Sequence, residues 1–128
     1  MKLLILTLKV LITIIVGQTL FFKFSGAEES VYIFSTLGIE PWGRLALGAL
    51  ELLSIILLWI PQTYIYALVL ILGMMFGAVA SHVAILGIEI MGDHGELFAL
   101  ALITFFSTAV LLVIQRMEVR ALIAKLIG

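Results

Sequence analysis

Four long apolar runs, residues 4–24, 42–60, 64–87 and 97–115, dominate this chain and restrict what it can fold into. Each is close to the roughly 20 residues that a helix rising ~1.5 Å per residue needs to cross a ~30 Å hydrocarbon core. In lipid, backbone N–H and C=O groups must be satisfied within the segment, which makes helices the expected form. The composition agrees: of 128 residues, 64% are hydrophobic and only 12% charged, and the mean hydropathy is +1.33. A soluble domain is about half apolar and about a quarter charged. So small a chain lacks the polar surface to cover that much apolar material in water, so a lipid bilayer is the expected partner. The net charge is −1 with no basic block, so nucleic acid is not an expected partner. There is no cysteine, which removes disulfides, thiol catalysis and thiolate metal sites.

The breaks between runs set the order of the helices. Pro61-Gln62-Thr63 is a tight turn that makes spans two and three an antiparallel hairpin. Residues 91–96, Met-Gly-Asp-His-Gly-Glu, separate spans three and four in the same way. Val31, Tyr32, Phe34, Ser35 and Leu37 suggest a short interfacial helix in 25–41, and Pro41-Trp42-Gly43 opens span two. Trp42, Trp59, Tyr64 and Tyr66 fall at span ends, where amphipathic rings sit well. The expected fold is all-α: one integral membrane domain over 1–128, a transmembrane four-helix up-down bundle with a short interfacial helix between spans one and two.

Charge orients it. Lys2 precedes span one, and Arg116, Arg120 and Lys125 follow span four. Glu28, Glu29, Glu40, Glu89, Asp93 and Glu96 occupy the two longer loops. The positive-inside tendency then gives a multi-pass protein of a plasma (inner) membrane, with both termini and the 116–128 tail cytoplasmic. The tail has basic and apolar residues at helical spacing; it either lies on the inner leaflet or continues span four. An alternative treats 1–27 as a cleaved leader ending in Ser25-Gly26-Ala27. Lys9, Lys23 and the length of the run argue against cleavage.

Glu51 is the residue that most needs an explanation. It lies at the centre of span two, where a charge costs roughly 3 kcal/mol on insertion scales. Such a group has to be neutral, paired or turned to a wet cavity. Arg44, Gly48 and Glu51 share a helix face, but Arg44 is about two turns away, so the partner should stand on another helix. Gln18, Lys23, Arg44 and His82 fall in the outward half on this topology and, with the central Glu51, are expected to converge on one polar pocket. The blander readings stay open. Lys23 and Arg44 are near enough to the interface to snorkel, as is Lys9 at the other side. His82 is an interhelical hydrogen-bonder on that view, and Glu51 one half of a structural pair. His94 lies in a loop, and two histidines do not make a zinc or haem site, so no metal is expected.

Gly73, Gly77 and Ser81, spaced by four, are expected to form a packing seam in span three or a dimer contact. Thr104, Thr108 and Gln115 make a polar stripe suited to interhelical hydrogen bonds. Met74 and Met75 read as filler. No nucleotide loop, nucleophile elbow or zinc-protease helix is present.

The segments Gly17-Gln18-Thr19-Leu20-Phe21-Phe22-Lys23, Gly48-Ala49-Leu50-Glu51 and Met75-Phe76-Gly77-Ala78, the last followed by His82, resemble the DoxX and DoxX-like membrane proteins over about residues 15–115. The resemblance implies a four-helix bundle and places Lys23, Glu51 and His82 among family-like positions. It also implies an accessory or small-ligand-binding subunit associated with membrane redox chemistry, with a quinone as the cofactor class. Its partners would be a membrane redox complex or a homo-oligomer, and no enzyme activity of its own is expected. Two other functions fit the residues. One is a proton-coupled small-solute transporter acting as an oligomer, although no inverted repeat or helix broken at midplane is visible. The other is a structural membrane scaffold.

Overall fold

The computed structural model describes residues 1–127. They are helical almost throughout, with no strands among them. In chain order the helices are α1 (Lys2–Ser25), α2 (Glu28–Thr36), α3 (Trp42–Leu58), α4 (Tyr64–Ser81), α5 (Glu96–Ile114) and α6 (Arg116–Ile127). A 3₁₀ turn, Pro61–Thr63, joins α3 to α4, and a π turn, His82–Leu86, extends α4.

Local chemistry sets the boundaries. Gly26 takes φ 70°, and the N–H groups of Gly26 and Ala27 return to the carbonyls of Lys23 and Phe22. This left-handed ending suits glycine and satisfies carbonyls that α1 leaves open. Pro41 precedes α3, where a missing N–H breaks no helical hydrogen bond, and its carbonyl accepts from Leu45 N–H at 3.1 Å. Asp93 caps α5: its carboxylate accepts from Gly95 and Leu97 N–H at 2.8 and 3.1 Å.

α1 packs on α3, α3 on α4, α4 on α5 and α5 on α1. The chain termini of this ring and the 61–63 turn share one end, the terminal end; α2 and the 87–95 loop share the other, the loop end. Close antiparallel packing shows in cross-helix pairs: Trp59 beside Thr13 at the terminal end, Glu51 beside Thr19 toward the loop end. The dry core lies toward the terminal end and includes Ile12, Leu58, Ala67, Leu68, Ile71 and Leu111, with Tyr64 at its edge. Large apolar side chains also cover the outside, among them Ile14, Phe21, Ile56, Val69, Phe76 and Phe106.

Among the described residues, three stretches are long and apolar enough to cross a membrane: Lys2–Ser25, Pro61–Leu86 and Glu96–Ile114. α3, the core of the expected second span, has 17 residues and is roughly 26 Å long, short of that length. Its C-terminal turn tightens at Trp59, which ends the helix before residue 60.

Candidate functional site

Glu51 sits in the middle of α3 and is 1% exposed. Gly48, one turn earlier, lets α1 come close: a Cβ there would lie 3.1 Å from the Phe24 ring and 3.4 Å from Lys23 Cβ. That approach carries Lys23 onto the carboxylate, with Nζ 2.7 Å from Oε1. Thr19 shares the Lys23 face of α1, four residues before it, and its hydroxyl donates to Oε2 at 2.7 Å. The Val16 carbonyl, at 2.9 Å, competes for the same proton. A hydroxyl has one proton, and a carboxylate is the stronger acceptor. Both oxygens of Glu51 are therefore engaged, by one cation and one hydroxyl. A buried charge needs that degree of compensation to persist in a low-dielectric interior.

Arg44 does not join this pair. Its Nε donates to Glu40, 2.9 and 3.0 Å from the two carboxylate oxygens, and its Nη1 donates to the Lys23 carbonyl. The pocket expected of Arg44 is corrected on that account. The i,i+4 spacing of Glu40 and Arg44 gives it a nearer acid, and the guanidinium serves the end of α1 instead.

His82 begins the π turn and is 5% exposed. Its Nδ1 lies 2.9 Å from the Gly87 carbonyl, and Gly87 N–H returns to the His82 carbonyl at 2.7 Å. The hydrogen bond is local, so the expected interhelical bond is corrected as well: the widened turn brings Gly87 back over the ring. Phe98 of α5 stands against the imidazole, ring centroids 5.4 Å apart. Asp93 closes the loop beyond, accepting also from Ile90 N–H at 2.9 Å. Burial pushes its carboxyl upward. The three backbone donors, helped by the nearby His82 when its ring is protonated, outweigh this and hold it below the usual carboxylate range.

A cavity of ≈ 590 Å³ lies among α1, α2, α3, α4 and α5 toward the loop end. Its volume falls in the range of small-molecule sites. Of the residues singled out in the sequence, Gln18, Lys23, Glu51 and His82 line it and Arg44 does not. Gly73, Gly77 and Ser81 line it too. The expected packing seam within the chain is thereby corrected, because a Cβ at Gly73 or Gly77 would meet nothing within 4 Å. The small residues leave room here; they do not draw helices together. The polar stripe of α5 also turns inward on itself. Thr104 and Thr108 donate to the carbonyls of Leu100 and Thr104 on their own helix.

At the terminal end Lys9 meets two aromatic rings. Its Nζ stands 4.5 Å from the Trp59 ring centroid and 4.8 Å from that of Tyr64.

Sequence reasoning passes over two participants. Thr19 is signalled by its i,i+4 step to Lys23, and Asp93 by its place just ahead of an apolar helix. Among the described residues no group of three or more His, Asp or Glu side chains is placed to hold a metal ion. The arrangement offers an apolar space with a neutralised ion pair on one wall and an imidazole on another. Comparison of the chain with protein-family models, with curated proteins and with solved structures found no match.

Proposed function

We propose that the chain is a DoxX-like accessory protein of a plasma (inner) membrane, and that its cavity holds the head group of a small lipophilic ligand, with a quinone ring as the first candidate. In this reading α3 crosses the bilayer with the other three long helices, completing an up-down bundle with both termini cytoplasmic. The packing of α3 between α1 and α4 supports its insertion despite its length, since a bilayer thins locally around a short span at modest cost. The protein acts beside a membrane redox complex or as a homo-oligomer.

One observation carries the proposal: a cavity of this volume is walled mainly by apolar side chains yet holds Lys23, Glu51 and His82 together. Convergent polar groups in an apolar pocket are the usual form of a small-molecule site. A quinone fits the donor set because Lys23 has ammonium protons beyond the one that faces Glu51. The test is binding of a short-chain quinone to the purified protein in lipid nanodiscs, with Glu51→Gln and His82→Ala compared with the unaltered protein. A clear loss of affinity in either variant is expected, and unchanged affinity in both overturns the proposal.

The complete pairing of Glu51 favours a second reading, in which the ion pair pins α1 to α3 in a scaffold. That reading requires Glu51→Gln to lower stability and leave quinone binding untouched.

A further inference from the structure

The polar groups around the cavity differ in what they have left to offer a ligand. Both oxygens of Glu51 are engaged. Both oxygens of Asp93 accept from backbone N–H groups. The Ser81 hydroxyl donates to the Gly77 carbonyl. Two buried lining side chains lack a complete set of partners. The Ser30 hydroxyl, in α2, can donate or accept. His82 is more restrictive. A carbonyl oxygen only accepts, so Nδ1 must carry the proton it gives to Gly87. In the neutral ring Nε2 then holds a lone pair and no hydrogen.

Among the described residues Nε2 has no hydrogen-bond partner. Among the described residues the only fully sealed side-chain polar atom without a partner is Tyr64 Oη. Nε2 is thus not sealed off by protein, and His82 lines the cavity. The ring is also fixed in direction, held by Gly87 on one edge and by Phe98 beside it. An acceptor aimed into an apolar cavity is costly unless a donor meets it.

The charges narrow the class. Lys23 is offset by Glu51, while Glu29, Asp93 and Glu96 also line the cavity and, among the described residues, form no ion pair. An anionic amphiphile meets that negative border and brings no donor to Nε2. We propose, building on the ligand-binding reading above, that the cavity takes a neutral lipophilic phenol or hydroquinone, whose hydroxyl donates to Nε2 of His82. For a quinone couple the reduced form is the one retained, because the oxidised ring has no proton to give.

The experiment uses 4-heptylphenol and its methyl ether, in which a methyl group replaces the hydroxyl proton. Each is titrated against the full chain in nanodiscs at about pH 8. The phenol should bind about tenfold more tightly, the worth of one hydrogen bond in a dry site. His82→Phe, which keeps an aromatic ring, should erase that preference. Anaerobic titration with a decyl-hydroquinone and its quinone should favour the hydroquinone in the same sense. Equal binding of phenol and ether overturns this inference and leaves the cavity reading standing, and so does an octylammonium salt that binds more tightly than the phenol. Failure of every probe to bind, the quinone included, overturns both. The phenol–ether comparison on the unaltered protein needs no variant, so a His82→Phe chain that fails to fold does not blunt the test.

Discussion

The two ends of the helical ring are made from similar apolar sequence and solve the packing problem in opposite ways. At the terminal end α4 contributes Ala67, Leu68 and Ile71, all fully buried against Ile12, Leu58 and Leu111. At the loop end the same helix contributes Gly73, Gly77 and Ser81, and a cavity opens beside them. Dispersion contacts hold the first region, and they are lost wherever a side chain has no neighbour. The second region forgoes them and is held by directed polar contacts: Lys23 and Thr19 on Glu51, Arg44 on Glu40, Gly87 on His82, and the loop N–H groups on Asp93. A hollow between helices therefore coexists with a defined fold because charge and hydrogen bonding fix the helices where hydrocarbon does not.

That contrast breaks most readily at Lys23. Lys23→Met leaves Glu51 buried without its cation, and a stranded buried charge costs about 3–5 kcal/mol. Denaturant titration in mixed micelles should show this loss. Adding Glu51→Gln should restore more than half of it, since the double variant has no charge left to strand. A single variant as stable as the parent would mean that the pair does not hold the loop end.

The next largest effect belongs to the dry end. Leu68→Ala deletes a fully buried side chain and should cost about 3 kcal/mol. Gly77→Ala, about two and a half turns along the same helix, places a methyl group where nothing lies within 4 Å. It should be neutral or stabilise by up to about 1 kcal/mol, the usual helical gain of alanine over glycine. The opposite signs at two sites on one helix are the sharpest form of the comparison. A destabilising Gly77→Ala would show that the cavity is narrower than its walls suggest.

Much of the terminal end is legible in the amino-acid sequence. Periodic apolar runs bounded by Pro and Gly place the long helices within a few residues, as 4–24 against Lys2–Ser25 and 97–115 against Glu96–Ile114 show. Interior acids need partners, so Glu51 alone calls for a residue on another helix. The loop end is harder to read, because its geometry depends on choices among near neighbours. Arg44 has Glu40 four residues away and Glu51 seven, and the shorter reach wins. Small residues on α4 are compatible with a seam or with a void. Which arises depends on whether the facing helix advances, and that is set by side chains elsewhere, Gly48 on α3 included. The π turn at His82 has no sequence marker that we can identify.

A smaller effect tests the loop itself. Asp93 joins Ile90, Gly95 and Leu97, and the turn holds Met91 and His94 at φ 51° and 58°, values that non-glycine residues seldom adopt. Asp93→Ala removes the cap and should cost about 1 kcal/mol near pH 7. The pH sense follows from the direction of the shift. Its folded value is depressed, so its contribution is complete above the unfolded carboxylate value of about 3.9 and fades as pH falls through the folded value. The gap between parent and variant melting curves should therefore close with acidification below about pH 4. A gap that widened there would contradict the assigned role of the carboxylate.

The smallest effect returns to the terminal end, where one polar cluster sits against the dry core. Trp59 Nε1 donates to Thr13 Oγ1 at 2.9 Å, and the same ring lies under Lys9. Trp59→Phe keeps an aromatic ring but removes the indole donor and weakens the π face. Lys9→Met keeps most of the aliphatic stem and removes the charge. Each should cost about 0.5–1 kcal/mol, below the loss expected from emptying the Leu68 site. A double-mutant cycle over the two positions isolates their mutual term, and a coupling of about 0.5 kcal/mol is expected for a cation–π contact that is partly exposed. A coupling near zero would leave hydrocarbon packing and the Trp59–Thr13 hydrogen bond as the support of this end. A coupling as large as the Lys23–Glu51 effect would instead show that both ends rely on buried cations, and the division between a packed end and a polar one would not hold.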